Sequence, residues 1–86
     1  MGSLVDVMQA AYEGAKYELH LAQLSLAEVQ ARANRCLALG EGDEARALLS
    51  EIPELTASLN VAAVNYSVRG FALLDAMRTA IEVRNG

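Results

Sequence analysis

The most constraining feature of this chain is an unbroken apolar stripe. Met8, Tyr12, Ala15, Leu19, Ala22, Leu26, Val29, Ala33 and Cys36 step by four and three residues alternately, with no proline among them. Such a heptad spacing puts one face of a helix against a neighbour running nearly parallel or antiparallel to it. Leu55, Leu59, Ala63, Tyr66, Gly70, Leu73, Met77 and Ile81 recur at nearly the same period later in the chain. Two helices and one shared seam are therefore expected: an all-α fold, with an antiparallel helical hairpin as its simplest form.

The helix boundaries follow from local chemistry. Ser3, with Asp6 three residues on, has the spacing of a capping box, with Asp replacing the usual Glu or Gln. Ala, Leu, Glu, Gln and Arg, all strong helix formers, dominate from there to Leu39. Gly40 stands where a glycine in the left-handed conformation ends a helix. The spacing thus predicts a helix over about 4–39 and an acidic tip, Gly40-Glu41-Gly42-Asp43. Asp43 is expected to cap a short helix over about 44–49. Ser50 is expected to cap a third helix over about 51–84, with Pro53 in its first turn, where a missing N–H costs little. Asn85-Gly86 should close it. The two arms would measure roughly 54 and 50 Å at 1.5 Å per residue.

Folding the chain at the connector, in the register that best matches the two stripes, pairs positions whose numbers add to about 92. Tyr12 would then face Ala80, Ala22 would face Gly70, and Leu26 would face Tyr66. Large residues mostly oppose small ones in that register, as close packing requires.

The seam does not use all the apolar residues, which are 53% of 86. Tyr17, Leu21 and Leu24 lie roughly opposite the first stripe. Val61, Val64, Val68 and Phe71 lie away from the second. In the register above Leu21 sits level with Phe71 and Leu24 with Val68. An exposed patch of this kind usually marks a partner surface. These seven residues are the candidate interface, and the expected partner is a second copy, most simply in a homodimer, or another helical protein. A four-helix bundle is the simplest assembly. Its second face should lie about 90° from the seam, so a flatter layer or a domain-swapped pair are the alternatives. Leu48, Leu49 and Ile52 of the short helix could fold back over only part of the patch.

Chain size points the same way, because 86 residues bury only about 60% of the surface exposed on unfolding. One cysteine, Cys36, allows no internal disulfide, and one histidine, His20, allows no His/Cys zinc site within a chain. Association is the remaining reinforcement.

Other functions find little support. A net charge of −4 with dispersed bases argues against nucleic acid as a partner. The longest uncharged run, Leu55 to Val68, is too short for a membrane span. The N-terminus has no signal-peptide pattern, and Asp6 stands where a myristoylation signal needs Ser or Thr. With an unpaired thiol, these features lead to an expected cytoplasmic location. Glu41, Asp43, Glu44, Glu51 and Glu54 make the tip acidic, and four of them suit helix N-termini. No catalytic, cofactor or metal site is expected: Cys36 and His20 are sixteen residues apart on one helix, and no Glu-x-x-His occurs. The reading is a single non-enzymatic helical domain acting as a co-chaperone, adaptor or structural subunit. The alternative is a small metal- or ligand-binding sensor or enzyme subunit with a site near His20 at an oligomer seam. In size and layout the chain is similar to small acidic co-chaperones and helical structural subunits of bacterial secretion systems.

Overall fold

A computed structural model of the chain describes residues 3–85. The described residues form three helices, α1 (Leu4–Ala38), α2 (Gly42–Leu49) and α3 (Ile52–Asn85). Gly86, expected to close the last helix, lies outside the described residues.

Helix α1 starts as its sequence requires. The Ser3 hydroxyl accepts from the Asp6 N–H at 3.2 Å, and the Asp6 carboxylate accepts from the Ser3 N–H at 3.2 Å. Two of the orphan donors of the first turn are thereby satisfied. At the other end Gly40 adopts φ +76°, the left-handed region. The Glu41 N–H donates to Cys36 O at 2.8 Å and the Gly40 N–H to Leu37 O at 3.2 Å. This is the paired hydrogen-bonding pattern of a Schellman turn.

The tip differs from expectation in both its caps. Glu41, not Asp43, occupies the N-cap of α2, with no side-chain cap bond, and α2 begins at Gly42. Asp43 and Glu44 lie inside its first turn, where the helix dipole favours acids. Ser50 does not cap α3. It closes α2, its hydroxyl donating to Ala47 O at 2.6 Å. A hydroxyl committed to the preceding turn leaves the start of α3 to Glu51, whose carbonyl accepts from the Leu55 N–H at 3.1 Å. Only two residues separate α2 from α3, so the pair acts as one bent return arm.

Both α2 and α3 pack on α1, and this sets the register. The Tyr12 and Tyr66 hydroxyls are 2.8 Å apart, with the rings stacked at 5.1 Å. A Cβ added to Gly70 would lie 3.5 Å from the Tyr12 ring. Facing residues therefore add to 78 or 82, about 80, instead of 92. Tyr12 does not reach Ala80, and Gly70 faces Tyr12, not Ala22. The physical reason is the place of reversal. The chain folds at Gly40 itself, and α2 forms the first two turns of the return arm. The difference of twelve residues slides the arms by roughly 18 Å.

The corrected register leaves α3 overhanging the start of α1 by about eight residues, or ~12 Å. Met77, level with Val5 at the last turn of the overlap, and Ile81 beyond it, both expected in the seam, are exposed. The molecule measures 68 × 19 × 17 Å. Among the described residues the buried ones are Ala15, Ala33, Ala45, Leu48, Leu73 and Ala76. Four of the six are alanine, so the core is a seam one side chain thick.

Candidate interaction surface

All seven residues expected at an interface are exposed, from 40% for Leu21 to 70% for Val61. Helix α2 covers none of them, since its buried residues Ala45 and Leu48 pack toward α1. The structure also shows that the seven belong to longer rows. On α1, Val7, Ala10, Gly14, Tyr17, Leu21 and Leu24 step by three and four, and all are exposed. On α3, Ala57, Val61, Val64, Val68 and Phe71 step by four and three and are likewise exposed. Each helix thus carries a second heptad stripe, turned away from the first.

The two outer stripes are not level in the way the sequence register implied. Leu21 is not level with Phe71, nor Leu24 with Val68, because the arms are slid by twelve residues. With facing numbers adding to about 80, Ala10 is level with Phe71, Tyr17 with Val64, Leu21 with Val61 and Leu24 with Ala57. The stripes therefore span the same height along opposite edges of the hairpin.

The broad faces between these edges are more polar. On one, Glu18, Ser58 and Asn65 line a shallow depression with Ala57, Val61 and Ala62. On the other, Glu13, Lys16 and His20 surround the base of Tyr17. A face-to-face four-helix bundle would bury these polar groups, whereas contact at the edges buries Leu, Val, Tyr and Phe.

The surface area shows how much is left uncovered. The accessible surface is 6355 Å² for a chain of 9.2 kDa. A compact monomer of that mass exposes about 4,900 Å², so the excess is roughly 1,400 Å². A slender hairpin with a single seam accounts for it.

One cluster was not legible in the sequence. Cys36 Sγ and the carboxylates of Glu41 and Glu44 lie within 4.8 Å of one another. The Schellman turn brings this about by folding Glu41 back over the last turn of α1, and the left-handed glycine at position 40 was its only advance signal. Partial burial, then the negative charges of Glu44 and Glu41, push the Cys36 thiol above its ordinary range, while Arg32 opposes the shift. Such a thiol stays protonated and weakly nucleophilic near neutral pH. His20 is exposed on α1 and belongs to no group of three potential ligands among the described residues.

No protein-family model, curated protein or solved structure matches this chain. Among the described residues no helix is long and apolar enough to cross a membrane.

Proposed function

We propose that this is a non-enzymatic helical interaction protein whose work is done by its outer edges. The observation that carries this reading is the pair of exposed heptad stripes on a molecule whose buried residues are mostly alanine. Burying a Leu, Val or Phe contributes roughly 1.5–3 kcal/mol, so covering either stripe favours association by several such increments. The covering surface is a second copy or another protein's amphipathic helix, in the manner of an adaptor, co-chaperone or structural subunit. An enzyme fits less well. The one thiol is held protonated, and His20 sits sixteen residues before it on α1, roughly 24 Å away.

The test is sedimentation over a wide concentration range for the wild type and for a double variant, Leu21→Glu with Val68→Glu. The wild type should gain mass with concentration. The variant should remain a monomer of unchanged helicity, because both positions are exposed in the isolated hairpin. Loss of helicity would place those residues in the internal core. A wild type that stays monomeric throughout and binds no amphipathic helix would overturn the reading.

A further inference from the structure

We infer that the occupant of the outer edges is a second copy of this chain, packed side by side so that the α1 stripe of one copy meets the α3 stripe of the next. The inference rests on the proposed role of these edges in association.

Four observations carry it. First, the two stripes match in height. A neighbour displaced sideways without sliding sets α1 against α3 in the same antiparallel register that closes the hairpin's own seam. Second, the stripes match in size. Ala10 meets Phe71, Gly14 meets Val68 and Leu24 meets Ala57, small against large, and between them Tyr17 meets Val64 and Leu21 meets Val61. Gly14 has nothing within 4 Å of where its Cβ would be, so the isolated hairpin gives this mid-helix glycine no packing role. A neighbouring helix would use the space.

Third, the edges differ in charge. Near its stripe α1 carries Asp6, Glu13 and Glu18 against Lys16, a net −2, whereas α3 at the same height, residues 57–75, carries one base and one acid, Arg69 and Asp75, with Asp75 level with Asp6. An α1 edge therefore suits an α3 edge better than another α1 edge, which would set acids against acids. The acidic tips of adjacent copies lie roughly 20 Å apart, from helix spacings of 8–10 Å. That exceeds two Debye lengths at physiological salt, so their repulsion is largely screened. Fourth, the area fits. Specific interfaces take about 800 Å² from each partner. Two standard interfaces would take about 1,600 Å² from one copy, the same order as the roughly 1,400 Å² by which the hairpin's surface exceeds that of a compact monomer.

The contact is head-to-tail in the sense that its two sides differ. It adds copies one at a time, into a ring if the rotation between copies closes and an open array if it does not.

A mixing experiment separates this arrangement from every symmetric one. Leu21→Glu disables the α1 edge and Val64→Glu disables the α3 edge. Each variant alone should be monomeric, with self-association at least ~100-fold weaker than wild type, as expected for a charge buried in an apolar contact. Mixed in equal amounts, they retain one intact α1 edge and one intact α3 edge between them. Sedimentation should then show a 1:1 pair and nothing larger, while the wild type forms larger species. If either variant loses helicity, Leu21→Gln and Val64→Gln take their places.

A single variant that still dimerises would show like edges pairing with like and overturn the inference. So would an associating wild type whose variants do not pair on mixing, though the association reading would survive. A wild type that is always monomeric overturns the inference too, and binding of an amphipathic helix then decides the broader reading.

Discussion

The inner seam and the outer stripes of this hairpin share a spacing and differ in exposure. Inside, Ala15, Ala22, Ala33, Ala45, Gly70 and Ala76 let the helices approach closely between buried or half-buried Leu19, Leu26, Leu48, Leu55, Leu59 and Leu73, with one stacked tyrosine pair among them. Outside, Tyr17, Leu21, Leu24, Val61, Val64, Val68 and Phe71 remain uncovered. An ordinary monomer keeps its large apolar residues inside. Here the seam sets the shape of the hairpin, and the outer rows hold large apolar residues that it leaves available to a partner.

The comparison can be broken most severely from inside. Ala33 has no exposed surface, and Ala33→Asp would force a carboxylate into the closed seam. We expect a loss of at least ~3 kcal/mol in stability, read by urea denaturation. The same kind of charge placed outside, at Leu21 and Val68, should leave the melting curve of the monomer nearly unchanged and affect only association. If both substitutions unfold the chain alike, the inner and outer rows are one core.

A milder test addresses the tyrosine pair. Tyr12→Phe removes one side of the hydroxyl contact with Tyr66 and should lower the melting temperature by a few degrees. The hydrogen bond with Tyr66, followed by partial burial, holds the Tyr12 phenol above its ordinary value of 10.0. An acid with a raised value is favoured neutral in the folded state. Its contribution is whole below about pH 10 and lost as pH rises through the elevated value. Thermal melts should therefore be flat with respect to this group up to pH 10 and fall above it, and the fall should shrink in the Phe variant.

The smallest expected effect has the opposite sign. An added Cβ at Gly70 meets the Tyr12 ring at 3.5 Å, an ordinary contact distance. Gly70→Ala should therefore stabilise the hairpin by about 0.5–1 kcal/mol through helix propensity. A destabilised variant would mean that the seam is tighter at this point than at its alanines.

These contrasts also explain what the sequence could and could not disclose. Capping at Ser3, the helix end at Gly40 and both seam rows are local or periodic features, and they were legible. The register was not, because a heptad pattern fits its partner again after every seven residues. Only a contact between distant residues, such as Tyr12 with Tyr66, fixes it. The same ambiguity hid the overhang that exposes Ile81. The caps at Glu41 and Ser50 were misplaced because several nearby side chains could have served, and backbone geometry chose among them. The outer residues were legible as a surplus of apolar groups. Their alignment at one height became visible only once the register was known. The grouping of Cys36 with Glu41 and Glu44 depends on a turn whose hydrogen bonds leave no periodic trace.

The reversal at Gly40 has a consequence for how the chain finds its alignment. Two repeating rows have no origin of their own and could settle a heptad out of step with little loss along their length. The left-handed turn supplies that origin, like the zero mark on a ruler, and α2 lays down the first interval against α1 before the bend at Ser50-Glu51. Every later pairing, including the shared height of the two outer edges, is counted from this single point.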